Sequence, residues 1–372
     1  MKSMLRIYGS VIFVTALIIG IVVLTHVPIA SAGDTITLRA QSAFGRGNGL
    51  FKAGEHFAFL VDKYTDGRVK IKFHAAGEVV PSGQVLEAAR QGLLDAGHGC
   101  PCVARSKAYA AQWYCDVPDG QSPMEEIIWY YKGGGKEIFE ELIHKYYQSH
   151  PVMMQSMSTE VWLYSNSKIK TVEDLKGMKM RAAGMRGEVL TSMGASVVVL
   201  SGGEIVPALE RGVIDAMEMA SLNSTFPLGF CDVVKYLYMH PRKSTSPATF
   251  FSFNLKVWNK LPKDIQAAIE KAGRHSHLYT LTQEVMEDTI ALKQAVEKQD
   301  SEIMFLPLEV ADAVDKAAAK YYEEKAKTNQ DLAKVLRSWN KFKKDYDPYA
   351  KWIDNFNATG DTLAPYYPIK VD

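Results

Sequence analysis

The sequence predicts an α/β protein of two related lobes with a long helix spanning both. Three observations carry that expectation. Strand-like and helix-like patterns alternate through the first third of the chain and again through its middle. One helix-to-strand passage occurs twice. A helical pattern that starts near Leu261 continues to about Gln299 with no strong breaker apart from Gly273. Alternating strands and helices mark a mostly parallel sheet covered by helices.

The elements follow in order. Residues 35–41 alternate and read as a first strand, and Gly45, Gly47 and Gly49 form a loop after it. Residues 52–64 have helical periodicity. Thr65-Asp66-Gly67 is a turn, and residues 69–73 alternate strictly as a second strand. Ser82 is placed to cap a helix over residues 83–94. In the middle, residues 161–165 read as a strand. Thr171 and Asp174 have the spacing of a capping box, and Gly177 closes the short helix they open. Strands follow over 179–182 and 196–200, with helices over 187–193 and 204–211.

The repeated passage sits at 85–96 and 205–216. Both copies are a helix, a glycine stop, then two apolar residues and Asp-Ala entering a strand. We expect two topologically related domains, each with its own sheet. The expected ranges are 33–157 for lobe I, with parts of the C-terminal region, and 158–255 for lobe II. Residues 256–372 hold the long helix and further C-terminal helices. At 1.5 Å per residue the long helix would reach roughly 55 Å, more than one small domain needs.

Residues 1–32 read as a signal peptide. Lys2 and Arg6 precede an apolar run over 11–27, then Pro28, then Ala30-Ser31-Ala32 as a cleavage site. An uncleaved anchor is the alternative, because the apolar run is long for a signal. The chain is 47% hydrophobic and 23% charged, with net charge +1, which excludes a nucleic-acid partner held by bulk charge. In an oxidising compartment its four cysteines allow one or two disulfides. Cys100 and Cys102 are expected to be too close to pair with each other and to be buried thiols. The group His98-x-Cys100-x-Cys102 fits neither common zinc spacing.

Catalytic signatures are absent: no Gly-x-Ser-x-Gly, no His-Glu-x-x-His and no phosphate-binding loop. Three charged residues sit at strand ends, where α/β sheets build sites. Arg181 ends one strand, and a guanidinium there can grip a carboxylate with parallel hydrogen bonds. A surface arginine is the plain alternative. Glu218 lies in an apolar strand end, where a buried carboxylate needs a cation or donors. Glu160 begins a strand, and a solvated edge charge is its plain reading.

Residues 171–181, Thr-Val-Glu-Asp-Leu-Lys-Gly-Met-Lys-Met-Arg, resemble the signature of TRAP-transporter solute-binding proteins of the DctP type. The stretches 187–195 and 202–216, and Ala75-Ala76-Gly77-Glu78-Val79-Val80-Pro81, extend the likeness. It covers about residues 36–300 and is nearest the branch that binds 2-oxo and 2-hydroxy acids through a cation. The resemblance implies a periplasmic-binding-protein fold: two lobes around a cleft, hinged by strands and braced by the long helix. It also implies a periplasmic location and delivery to a membrane permease, by a monomer or a homodimer.

Under that resemblance Arg181 matches the arginine that holds the ligand carboxylate. Glu218 matches the cation-binding glutamate, and Met219 supplies a backbone carbonyl where the branch commonly has tryptophan. Glu160 falls where glutamine is common. Two glutamates and a ligand carboxylate, with one charge cancelled by Arg181, then favour Ca²⁺ over Na⁺. The competing expectation is that Glu160 binds a ligand amino or hydroxyl group with no metal. Phe44 is expected to wall the first lobe. Cys102 and Val103 replace bulky aromatics, and Lys243 or Arg242, with Asn223, lie near further contacts. Two other functions compete with transport: a sensory module of the same fold, and an enzyme using Glu160 and Glu218 as an acid–base pair.

Overall fold

The computed structural model describes residues 35–357 except 116, 118–120, 201 and 242–245. The expected signal peptide, Lys243 and Arg242 lie outside the described residues. Among the described residues no helix is long and apolar enough to cross a membrane.

Eleven described strands form two sheets. In chain order they are β1 (Ile36–Ser42), β2 (Val69–His74), β3 (Ala96–Gly99), β4 (Ser149–Ser156), β5 (Leu163–Ser165), β6 (Lys179–Arg181), β7 (Ser196–Val198), β8 (Ala216–Met217), β9 (Tyr236–Met239), β10 (Ala248–Asn254) and β11 (Glu302–Phe305). The first sheet runs β2-β1-β3-β10-β4 and the second β11-β9-β5-β8-β6-β7.

The two sheets share one plan. In the first, β1 pairs in parallel with β2 and β3, and β10 lies antiparallel between β3 and β4. In the second, β6 pairs in parallel with β7 and β8, and β5 lies antiparallel between β8 and β9. Each antiparallel strand reaches its sheet just after the chain leaves the other sheet. The expected lobe II range of 158–255 therefore runs too far, because β10 belongs to the first sheet. The sheets are mixed rather than parallel for the same reason. The crossing strands enter against the local strand direction.

The repeated passage is the same structure twice. Gly92 and Gly212 end their helices at φ 81° and 66°, a conformation open to glycine. Leu93 N–H donates to Ala88 O at 3.0 Å, and Val213 N–H to Ala208 O at 2.9 Å. Asp95 then clamps the next strand. Its N–H donates to Arg39 O at 2.8 Å, and its carboxylate accepts from Arg39 N–H at 2.7 Å. Asp215 repeats both contacts on Lys179, at 2.7 and 3.1 Å. The second sheet's copy carries Arg181 two residues further on, so this clamp sets the register of the site.

Alternation along β10 divides the first lobe's core. Phe250 packs with Tyr114, Trp129 and Phe139 on one face, and Phe251 and Phe253 pack with Phe57, Val61 and Ile269 on the other. The second lobe is built around Trp162, Met180, Leu190 and Tyr238 on one side and Ile205, Met217 and Phe230 on the other. The expected Ser82 cap is absent. Ser82–Gln84 forms a 3₁₀ turn with no side-chain cap, and the helix proper is Val85–Gln91.

The long helix, Lys263–Gln299, has 37 residues and packs on both lobes. Its first half lies on β4 and on helix Gly49–Tyr64. Its second half lies on Leu222–Thr225 and contributes Ala291 and Ala295 to the second lobe's core. Gly273 is the closest approach. A Cβ there would lie 2.9 Å from Met153 O and inside the Val152 side chain. Gly273→Ala is expected to cost about 1–3 kcal/mol by overpacking, read as a lower midpoint in a thermal melt. Helix Leu308–Thr328 is a second strut. Val310 and Val314 enter the second lobe's core, and Ala318 and Tyr322 enter the first's.

Candidate functional site

The charged residues meet because of strand direction. Arg181 is the last residue of β6, and Glu218 directly follows β8, its parallel neighbour. β5 runs the other way, so its beginning meets their ends. Glu160 precedes it, in an isolated bridge with Ser221. All three line a cleft of about 550 Å³ between the lobes.

Glu218 is 2% exposed and Glu160 4%. Glu218 Oε1 accepts from the Ala183 N–H at 2.8 Å. Arg181 is partly buried. Its Nε donates to Leu200 O at 3.3 Å. Its Nη1 donates to the Glu218 carbonyl and reaches Glu218 Oε1 at 3.3 Å. Its Nη2 has no partner among the described residues, so the protein fixes one part of a planar fork and leaves donors at the cleft.

The sequence reading missed Arg186. It is fully buried on helix Gly184–Ser192, directly behind the cleft. Its Nη2 donates to Glu160 Oε2 at 3.1 Å, and its Nη1 lies 3.6 Å from Glu218 Oε2. The carboxylates are thus bridged by a guanidinium of the protein. Two arginines balance two glutamates, so this quartet is neutral before a ligand enters. The charge argument for Ca²⁺ left Arg186 out. With it, a monocarboxylate adds one negative charge, which a single Na⁺ would balance.

The donor set fits a hard cation. Glu160 and Glu218 offer carboxylate oxygens, and each oxygen has more than one lone pair. Met219 lines the cleft beside Ala220, whose φ of 49° lies in the left-handed region. For a residue with a Cβ that is a strained conformation of the kind kept at ligand sites. It kinks the chain between Glu218 and Ser221, where a backbone carbonyl would complete the set.

The first lobe supplies the other wall. Phe44, Cys102 and Val103 line the cleft, together with Cys100, Gln112 and Cys115. Cys100 and Cys102 form a disulfide, against the expectation that they are too close. Pro101 turns the chain into a 3₁₀ helix and brings the two Cα atoms 5.3 Å apart, within disulfide range. His98 does not join them. Its Nδ1 lies 3.0 Å from Ser42 Oγ, and the ring stacks on Phe251. Burial pushes its pKa down to about 3, so the ring is neutral.

Asn223 is a correction. It lies away from the cleft and lines a second groove of about 850 Å³ beside the long helix. Its N–H donates to Asp288 Oδ1 at 2.6 Å, and its Nδ2 donates to Glu284 O at 3.3 Å. The strained turn at Ala220 carries the chain away from the cleft before Asn223 is reached.

Glu284, on the long helix, accepts from Gln155 Nε2 of β4 at 2.6 Å and from Ser221 Oγ and Asn223 Nδ2 at 3.4 Å, so it ties the first lobe to the second. Burial pushes its carboxyl up to about 7, with Asp288 adding to the rise. Between about pH 4.5 and 7 the folded state therefore holds a proton that the unfolded chain has lost. Stability contributed by this group is full below that window and falls as pH rises through it. Glu284→Gln is expected to flatten that slope, which could reach about 3 kcal/mol. Denaturant melts at pH 5 and pH 7.5 would check it.

Two sheets of one topology, joined by crossing strands and braced by helices around a charge-lined cleft, define a two-lobed ligand-binding protein. Residues 41–329 match the family model for bacterial extracellular solute-binding proteins, family 7, and the chain belongs to that family. Its relatives include the monocarboxylate 2-oxoacid-binding periplasmic protein of Nostoc sp., 30% identical over 82% of this chain and 84% of the relative. A TRAP solute-binding protein from Bordetella bronchiseptica, solved as a dimer with calcium and picolinate, is 27% identical. It superposes with TM-score 0.79 over 87% of this chain and 97% of its own. Another, from Pseudoalteromonas atlantica with sodium and pyruvate, is 26% identical, with TM-score 0.80 over 87% of this chain and 98% of its own.

Proposed function

We propose that this protein captures a small monocarboxylate of the 2-oxo or 2-hydroxy type and delivers it to a TRAP membrane permease. A calcium or sodium ion, held by Glu160, Glu218 and the Met219 carbonyl, bridges acid and protein. The observation that carries the reading is Arg181, with its guanidinium partly fixed by the protein and its Nη2 donors left at the cleft. The relatives support it, since one binds 2-oxo acids and others hold pyruvate or picolinate beside a cation. The ion would add positive charge beside the carboxylate and oxygen coordination to the acid.

The protein's own residues do the rest. Arg181 orients the acid, and Arg186 lets two carboxylates sit together in a buried site. Phe44, Val103 and Met219 supply walls that exclude water. Closure of the lobes on the acid would present a changed surface to the permease. An acid–base reading of Glu160 and Glu218 gains no support here, because each carboxylate lies beside an arginine, which favours its ionised form over a proton donor. The same wall residues make the carboxylate end of the ligand better defined than its other end. Native mass spectrometry of freshly purified protein is expected to show an excess mass equal to one small acid plus one calcium or sodium ion. A mass equal to the bare chain after purification with pyruvate would count against the proposal.

A further inference from the structure

Three of the four cysteines meet in the cleft wall, although Cys115 is 13 residues from Cys102 in sequence. Cys100 and Cys102 are joined, and the sulfurs of Cys100, Cys102 and Cys115 all lie within 4.8 Å of one another. Cys115 is outside the disulfide. All three line the cleft, opposite Arg181, Glu160 and Glu218. Cys231 takes no part. It is buried in the second lobe's core, where burial raises its thiol pKa to about 11.

We propose that Cys100, Cys102 and Cys115 form a thiol–disulfide exchange site that makes the cleft sensitive to redox state. Exchange needs a thiolate close to a disulfide and a path to either sulfur. The wall provides the proximity, with all three sulfurs within 4.8 Å of one another, and raised pH supplies the thiolate. Cys115, as thiolate, attacks Cys102 Sγ. The Cys102–Cys115 bond forms as the Cys100–Cys102 bond breaks, and Cys100 leaves as thiolate and takes up the proton that Cys115 gave to solvent. Electrons balance with no outside oxidant or reductant. Burial of Cys115 shields it from bulky reagents without hindering an internal attack.

The two isomers differ in what they hold. The Cys100–Cys102 bond stays within the turn Pro101–Ser106. A Cys102–Cys115 bond ties that turn to the end of the 3₁₀ helix Tyr109–Tyr114, so it joins two segments of the same cleft wall. It also closes a longer loop, which constrains the unfolded chain more. Exchange would therefore reshape the side of the cleft that faces the ligand's non-carboxylate end. Cys102 and Val103 stand there.

Disulfide mapping tests this apart from ligand binding. Cys100→Ser treated with oxidised glutathione is expected to form a Cys102–Cys115 disulfide, with two glutathione thiols released per bond. Wild-type protein held at pH 8.5, then alkylated in denaturant, is expected to give both Cys100–Cys102 and a Cys115-linked isomer. A dithiol that persists in Cys100→Ser, or wild-type protein with only the Cys100–Cys102 bond, would overturn the exchange. Calorimetry with pyruvate then compares oxidised and reduced Cys100→Ser. A change in affinity of about threefold or more is expected. Equal affinities would overturn the link to the cleft. Failure of both forms to bind pyruvate would count against the proposed function and leave the mapping result standing.

Discussion

Arg181→Ala is expected to weaken binding of pyruvate, or of whichever small 2-oxo acid binds best, by about a hundredfold or more. Truncating one partner of a desolvated, hydrogen-bonded charge pair costs about 2–5 kcal/mol. The loss is directional as well as electrostatic. A lysine would return the charge without the planar fork, so Arg181→Lys is expected to recover little. The folded state should survive, because the Arg181 side chain is at the cleft surface and 14% exposed. Calorimetry on each variant, with circular dichroism as a control for folding, checks both statements. Retention of the acid within a factor of a few by folded Arg181→Ala would remove the arginine from the site.

Arg186→Met has the opposite signature. Arg186 is fully buried behind the cleft, and it reaches the ligand site only through the two carboxylates it serves. Its removal leaves Glu160 and Glu218 side by side without their shared counter-charge. Breaking a buried pair in this way typically costs about 3–5 kcal/mol, and the melting midpoint is expected to fall by roughly 5–10 °C. Adding Glu160→Gln and Glu218→Gln to the same chain should recover much of that loss, since it removes the charges rather than the packing. A single variant that melts with the wild type would show that the quartet is not an electrostatic unit.

The two arginines also show what the sequence could and could not reveal. Arg181 ends a strand inside a recognisable signature, so its place at the sheet edge was readable. Arg186 precedes the helix expected over residues 187–193, which gives it no place on a helix face. A signal was present. Within the helix it lies three residues before Val189 and four before Leu190, both buried, so helical spacing puts it on the inner face. Asn223 misled for the reverse reason. It is close to Glu218 in sequence, but Ala220 turns the chain away.

Non-local pairing hid the rest. The long helix was legible because one pattern runs without a break. The repeated passage announced two related sheets, because its glycine stop and aspartate clamp are local. That β10 returns to the first sheet was not legible. Its partners, β3 and β4, lie about 150 and 100 residues earlier in the chain, and nothing local in 248–254 names a sheet. The disulfide was missed because sequence spacing was taken for spatial spacing, while Pro101 sets the two cysteines on a tight helical turn.

The most direct test of the central claim is calorimetry of pyruvate on protein freed of ligand by denaturation and refolding and of cations by chelation. Tight binding is expected only after Ca²⁺ or Na⁺ is returned, and Arg181→Ala is expected to show none under either condition. Equal binding with and without the ion would contradict the bridging cation. Equal binding by wild type and Arg181→Ala would contradict the carboxylate site itself.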